Sequence, residues 1–201
     1  MNLEEYRTLF AATSLVLILV ATVPVIGLVV PFLGSGESFS ELWLLDPNHM
    51  AEDYPFNITR NHNYSMLLGI GNHLGYCTYY LVEVKFRNQT QSAPNSLNRT
   101  PSSLPALFNI TAFVADEGIW ELPLTFSFDY KYNETLSQVE FYNLTLNGVA
   151  LDMMNYTVAW DSKNNGFFGN LFFELWLYDM TSQSFQYHDR FVGIWLNVTV
   201  S

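Results

Sequence analysis

Nine asparagines carry the one chemistry that residue type and spacing spell out locally. Asn57, Asn63, Asn88, Asn98, Asn109, Asn133, Asn143, Asn155 and Asn197 each open an Asn-x-Ser/Thr triplet, in which the side-chain amide nitrogen can accept an N-linked glycan. The chain has 18 asparagines, and 29 of its 201 residues are serine or threonine. Random order would therefore give about 2.6 triplets, and the excess is more than threefold. Eight of the nine end in threonine, and all follow the longest apolar run of the chain.

Other reactive residues are weaker candidates. The four histidines, His49, His62, His73 and His188, have neither the spacing of a metal site nor a carboxylate at ligand distance in sequence, so they read as structural or surface residues and no metal or other cofactor is expected. "DSKNNG" at 161–166 has the look of a calcium loop, but Lys163 takes a ligand position and Phe172 stands where the closing glutamate belongs, which leaves a hairpin turn. Glu41, Glu52, Asp53, Asp116 and Glu117 supply carboxylates for acid–base attack on a glycoside, a chemistry that needs two of them facing across a cleft. No nucleophile-elbow pattern surrounds any serine or cysteine. The expectation is a non-enzymatic protein, with glycoside hydrolysis as a remote alternative.

The triplets need an outside location, and the chain start supplies one. Residues 8–36 contain no charged side chain, 29 positions against the roughly 20 that span a hydrocarbon core. The preceding "MNLEEYR" is acidic and the run is far longer than the core of a signal peptide, which favours a retained helix over a cleaved leader ending at the "GSG" of 34–36. Arg7 precedes the run and the next basic residue is Arg60, so the N-terminus is expected in the cytoplasm and residues 37–201 outside. Pro24 and Gly27 imply a kink or a neighbouring helix, hence a membrane-protein or cell-surface partner besides lipid. A net charge of -11 offers no basic patch for nucleic acid. One cysteine, Cys77, excludes an internal disulfide.

Residues 37–201 read as strands. "YYLVEVKFR" alternates Tyr80, Val82, Val84 and Phe86 with Leu81, Glu83, Lys85 and Arg87, a strand with one buried face. "ELPLTFSFDY" and "FVGIWLNVTV" repeat the pattern, the second projecting Asn197 away from its aliphatic row, and further strands are predicted in "FSELWLL", "YSMLLGIG", "FNITAFVA", "SQVEFYNLTL", "MNYTVAW" and "NLFFELWLYD". Eight or nine strands joined by turns, with a longest loop over 88–105 and no amphipathic helix, predict a mainly β chain: one transmembrane helix, then an antiparallel immunoglobulin-like sandwich. Five tryptophans, Trp43, Trp120, Trp160, Trp176 and Trp195, with 12 Tyr and 16 Phe, exceed what such a core needs and suggest rings at the surface for sugar or protein contact.

Five stretches, "FSELWLLDPNHMAEDYPFN" (39–57), "GIGNH" (69–73), "YYLVEVKFRNQT" (79–90), "WELPLTF" (120–126) and "RFVGIWLNVT" (190–199), resemble an archaeal membrane-protein family called, in words, the sixteen-sixteen domain of unknown function. The resemblance implies a membrane-attached extracytoplasmic β domain with no assigned catalytic residues. Members with several N-terminal membrane helices differ from this chain, which shows one such run. Together these readings divide the chain into a tail and anchor over 1–36 and an extracellular domain over 37–201, used as an accessory subunit or as a carbohydrate-binding module of the cell envelope.

Overall fold

The computed structural model describes residues 6–7, 10–18, 20 and 38–200. The chain divides at Ser38/Phe39. Before the division, the described residues from Tyr6 to Val20 are helical. No helix among the described residues is long and apolar enough to cross a membrane. Most of the apolar run over 8–36 lies outside the described residues, Pro24 and Gly27 among them.

From Phe39 onward the described chain is strands and turns: β1 (Phe39–Leu45), β2 (Asn57–Ile58), β3 (Tyr64–His73), β4 (Thr78–Asn88), β5 (Phe108–Val114), β6 (Ile119–Asn133), β7 (Gln138–Leu146), β8 (Val149–Asp152), β9 (Thr157–Ala159), β10 (Phe168–Asp179) and β11 (Ser184–Val198). One sheet runs β1-β3-β6-β7-β8, with β9 also on β7, and the other runs β2-β11-β10-β4-β5. Their inner faces share one core. Tyr80, Val82, Val84 and Phe86 of β4 face Leu124, Phe126 and Phe128 of β6, all of them buried. Phe86 meets Phe141 and Phe128 of the opposite sheet at ring distances of 5.0 and 5.6 Å.

The alternation seen in β4 and β6 is therefore the core face, and the departures from it have local causes. In β7 the inward positions change from Val139 and Phe141 to Leu144 and Leu146, because the pairing with β6 skips Tyr142. In β11, His188 and Asp189 have no partner on β10, and Asp189 adopts φ 54°. Two strands go beyond the sequence reading. β8 follows the hairpin turn Asn147–Gly148, where φ is positive at both residues, as a two-residue turn of this hand requires. β2 is two residues long and pairs with β11 in parallel, so the sheets are not wholly antiparallel.

"DSKNNG" closes on itself through an Asp161–Gly166 bridge, but it joins β9 to β10 and so connects the two sheets rather than two strands of one. The Asp161 carboxylate accepts hydrogen bonds from the Lys163 and Asn164 backbone and from Asn164 Nδ2. The turn itself occupies the group a cation would need.

Candidate functional site

The nine acceptor asparagines separate into two groups by what their amide nitrogens do. Asn57, Asn63, Asn98, Asn109, Asn143 and Asn155 are exposed. Asn88, Asn133 and Asn197 are half-buried, and each nitrogen already donates: to the Thr157 carbonyl at 3.1 Å, to Glu140 Oε1 at 2.8 Å and to Asn57 Oδ1 at 2.9 Å. Asn197 does project from the aliphatic row of β11, yet its side-chain Oδ1 also accepts the Phe167 N–H. Asn57 takes part in that pair only as acceptor, which leaves its nitrogen for a glycan.

Of the five carboxylates weighed for acid–base work, Glu41 and Glu117 converge, but on His73. Its Nδ1 is 2.8 Å from Glu117 and its Nε2 is 3.7 Å from Glu41, while its ring stacks on Phe39. The Glu117 hydrogen bond raises the imidazole above the ordinary histidine value against opposing burial, with Glu41 adding to the rise. The space between these two carboxylates holds an imidazole rather than a sugar. Asp116 accepts the Gly75 N–H, Asp53 borders a groove described below, and Glu52 is exposed. His49 lies 3.6 Å from Glu121, and His62 packs its edge on Tyr64. Among the described residues no group of three His, Cys, Asp or Glu side chains is placed to hold a metal.

A nucleophile–base pair does form where sequence gave no signal. The irregularity of β11 turns His188 toward β1, and its Nε2 lies 2.9 Å from Ser40 Oγ, which lies 2.6 Å from the Tyr80 hydroxyl. Tyr80 in turn donates to Asn72 Oδ1. Ser40 is 1% exposed, and burial, helped by Arg190, pushes the His188 imidazole below its ordinary value. This chain of polar groups crosses from one sheet to the other inside the domain. It ties the sheets together, with the Ser40 and Tyr80 hydroxyls buried between them.

A second buried polar cluster lies on the outer face of β4 and β10. Alternation puts Lys85 outward, yet it is 3% exposed, and Glu174, diagonal to it on β10, is 0% exposed. Lys85 Nζ donates to Glu174 at 2.7 Å, to Glu83 at 2.8 Å and to the Ser102 carbonyl at 3.2 Å, and the Ser102 N–H donates to Glu174. The β4–β5 loop is the cover: its Ser102 backbone is part of the ion pair. Burial depresses the Lys85 ammonium, but hydrogen bonds to Glu174 and Glu83 outweigh it and hold the pKa above the usual lysine value. Beside it the Tyr187 hydroxyl is pushed up to about 12 by burial, with Glu174 and Asp189 adding.

The surplus rings are partly outside. Trp160 is 48% and Trp195 41% exposed, while the other three tryptophans are half-buried. Trp195 and Phe56 border two adjoining grooves of about 480 and 450 Å³; Asp53 and Tyr54 line one, Gln89 and Phe168 the other. The Arg87 guanidinium lies 4.7 Å from the Trp195 ring and holds it against the sheet.

Residues 33–143 match the model of a protein family described as "Domain of unknown function (DUF1616)". The sequence matches no curated protein. Among solved structures, a β-glucosidase from Listeria innocua is 10% identical with a TM-score of 0.38, over 82% of this chain and 17% of that one. The chain thus spans 17% of the length of that enzyme. The CARDB domain of a Pyrococcus furiosus protein, solved with di-metal ions, is 8% identical with a TM-score of 0.37, over 82% and 95%. A chain from the human complex of zinc 2-glycoprotein and prolactin inducible protein is 8% identical with a TM-score of 0.35, over 83% and 98%. At these scores none lends its ligand or activity to this chain.

Proposed function

We propose, from the premise that this chain belongs to the family described as Domain of unknown function (DUF1616), that it is a single-pass membrane protein acting by contact rather than catalysis. Its N-terminus is cytoplasmic, residues 8–36 cross the bilayer, and the N-glycosylated outer domain serves as an accessory subunit of a larger membrane or cell-surface assembly. Two facing, largely antiparallel sheets between which the chain crosses repeatedly support an immunoglobulin-like sandwich.

One observation carries the reading. Six of the nine acceptor asparagines stand on the surface, with no hydrogen bond among the described residues engaging the amide nitrogen, so each is open to attachment of a glycan. Purification from native membranes in mild detergent, followed by peptide mass spectrometry, tests it. Glycans are expected on Asn57, Asn63, Asn98, Asn109, Asn143 and Asn155 at higher occupancy than on Asn88, Asn133 and Asn197, and a second membrane protein is expected to co-purify. A lone chain with bare asparagines would overturn the proposal.

A second reading, a carbohydrate-binding module, is favoured by the Trp195–Phe56 grooves, where exposed rings stand beside Asp53 and Gln89 as a sugar face and its hydroxyls require. It predicts binding on a glycan array that is lost in Trp195→Ala. An array with no bound glycan retires it.

A further inference from the structure

The outer face of the second sheet carries a ladder of four rings at one end. Phe113 of β5 pairs with Tyr79 of β4, and Tyr178 of β10 pairs with Phe185 of β11. The rings of Tyr79 and Tyr178 lie 6.2 Å apart, so the ladder runs unbroken across four strands. Phe113 is 70% exposed. Tyr76, Ile119 and Met180 are exposed at the same end.

That end is where β1 begins. Phe39 pairs with His73 at the finish of β3, Gly71 pairs with Ile119 at the start of β6, Thr78 pairs with Val114 at the finish of β5, and Asp179 pairs with Ser184 in the β10–β11 hairpin. Only Glu37 and Ser38 separate Phe39 from the apolar run that ends at Gly36. Three Cα steps reach at most about 11 Å, comparable with the headgroup layer on one side of a bilayer.

Most of the acceptor asparagines lie away from this end. Asn57 and Asn197 pair at the opposite one, where Asn63 precedes β3 and Asn88 and Asn133 close β4 and β6. Asn109 pairs with Glu83, midway along β4. Asn143 and Asn155 lie farther along the same direction, by β7 and β9, whereas Asn98 is in the β4–β5 loop beside Arg99, which ion-pairs with Asp189 of β11. A hydrophilic glycan is excluded from a lipid interface, whereas aromatic rings, tyrosine above all, are enriched there.

Building on the membrane-anchored reading, we propose that the end bearing Phe113, Tyr79, Tyr178 and Phe185 rests on the phospholipid headgroup layer, with the strands rising from the bilayer. β6, at 15 residues, would carry the glycosylated end about 50 Å outward.

Cys77, the sole cysteine, is exposed in the β3–β4 turn between Tyr76 and Thr78, at the ring-bearing end. A nitroxide on Cys77 of the full chain in phosphatidylcholine vesicles reports depth through its collisions with lipid-soluble oxygen and a water-soluble nickel chelate. The reference is the same label at S162C in a C77S background, in the turn before β10. Cys77 is expected to be several-fold less accessible to the chelate than position 162, and F113S with Y79S to bring it most of the way back. Equal chelate accessibility at the two positions, in protein that survives an alkaline wash of the vesicles, overturns this inference alone. Release of the chain by the wash overturns the anchor and this inference together.

Discussion

Lys85→Met will destabilise the outer domain by about 3–5 kcal/mol, the cost of leaving a buried carboxylate without its cation. Glu174 is 0% exposed, and apart from the Ser102 N–H its hydrogen-bonding partner is Lys85. With the ammonium gone, the carboxylate must either stay charged in a poorly solvated place or take up a proton. The double variant Lys85→Met with Glu174→Gln removes both charges while keeping an acceptor for Ser102, and most of the lost stability should return. Urea titration of the three proteins measures this. A single variant within 1 kcal/mol of the parent, a figure typical of surface pairs, would mean that water reaches the pair and the loop is held by something else. The raised lysine pKa has the matching sign: its contribution is present below the unfolded value near 10.4 and is lost as pH rises through the folded one.

Phe86→Ala, on the neighbouring residue and the opposite face of the same strand, should cost about 3–5 kcal/mol by emptying the middle of the core. Its ring touches Phe128, Phe141 and Tyr156, and it fills the space over Gly169 where a Cβ would otherwise stand. That contact makes the prediction specific. Phe86→Leu opens room over Gly169, so adding Gly169→Ala to it should cost less than the two single changes summed, whereas Gly169→Ala alone forces a methyl into the ring. Additive losses in thermal unfolding would show that the ring moves away freely. Against a total stability of about 5–15 kcal/mol for a domain, either single variant removes a large share.

These two residues also show how far the sequence could be read. Phe86 belongs to an alternation that depends only on the strand's own geometry, so its burial was visible in "YYLVEVKFR". Lys85, one position earlier, obeys the same alternation and points outward, but the outer face there is roofed by a loop closed more than a dozen residues later. No local pattern reports a roof. β2 and β8 are too short to carry a period, and the irregularity that turns His188 onto Ser40 joins residues 148 positions apart. The Asn-x-Ser/Thr triplets are local patterns and can be read directly from the sequence. Which nitrogens are already engaged, as in Asn88 on Thr157 or Asn133 on Glu140, depends on neighbours that only the fold supplies. The gathering of Glu41, His73 and Glu117 likewise arises across β1, β3 and the β5–β6 turn.

The placement of β11 has a consequence for how the molecule is made. It is the last strand among the described residues, yet it lies between β2 and β10, and its pairing of Asn197 with Asn57 spans 140 residues. Until β11 has been synthesised and delivered, β2 has no neighbour in its sheet and β10 lacks one side. Closure of the second sheet therefore waits on a contact of long sequence separation, the slow kind, and a nascent chain halted before residue 184 would leave an edge of β10 open for pairing with another chain.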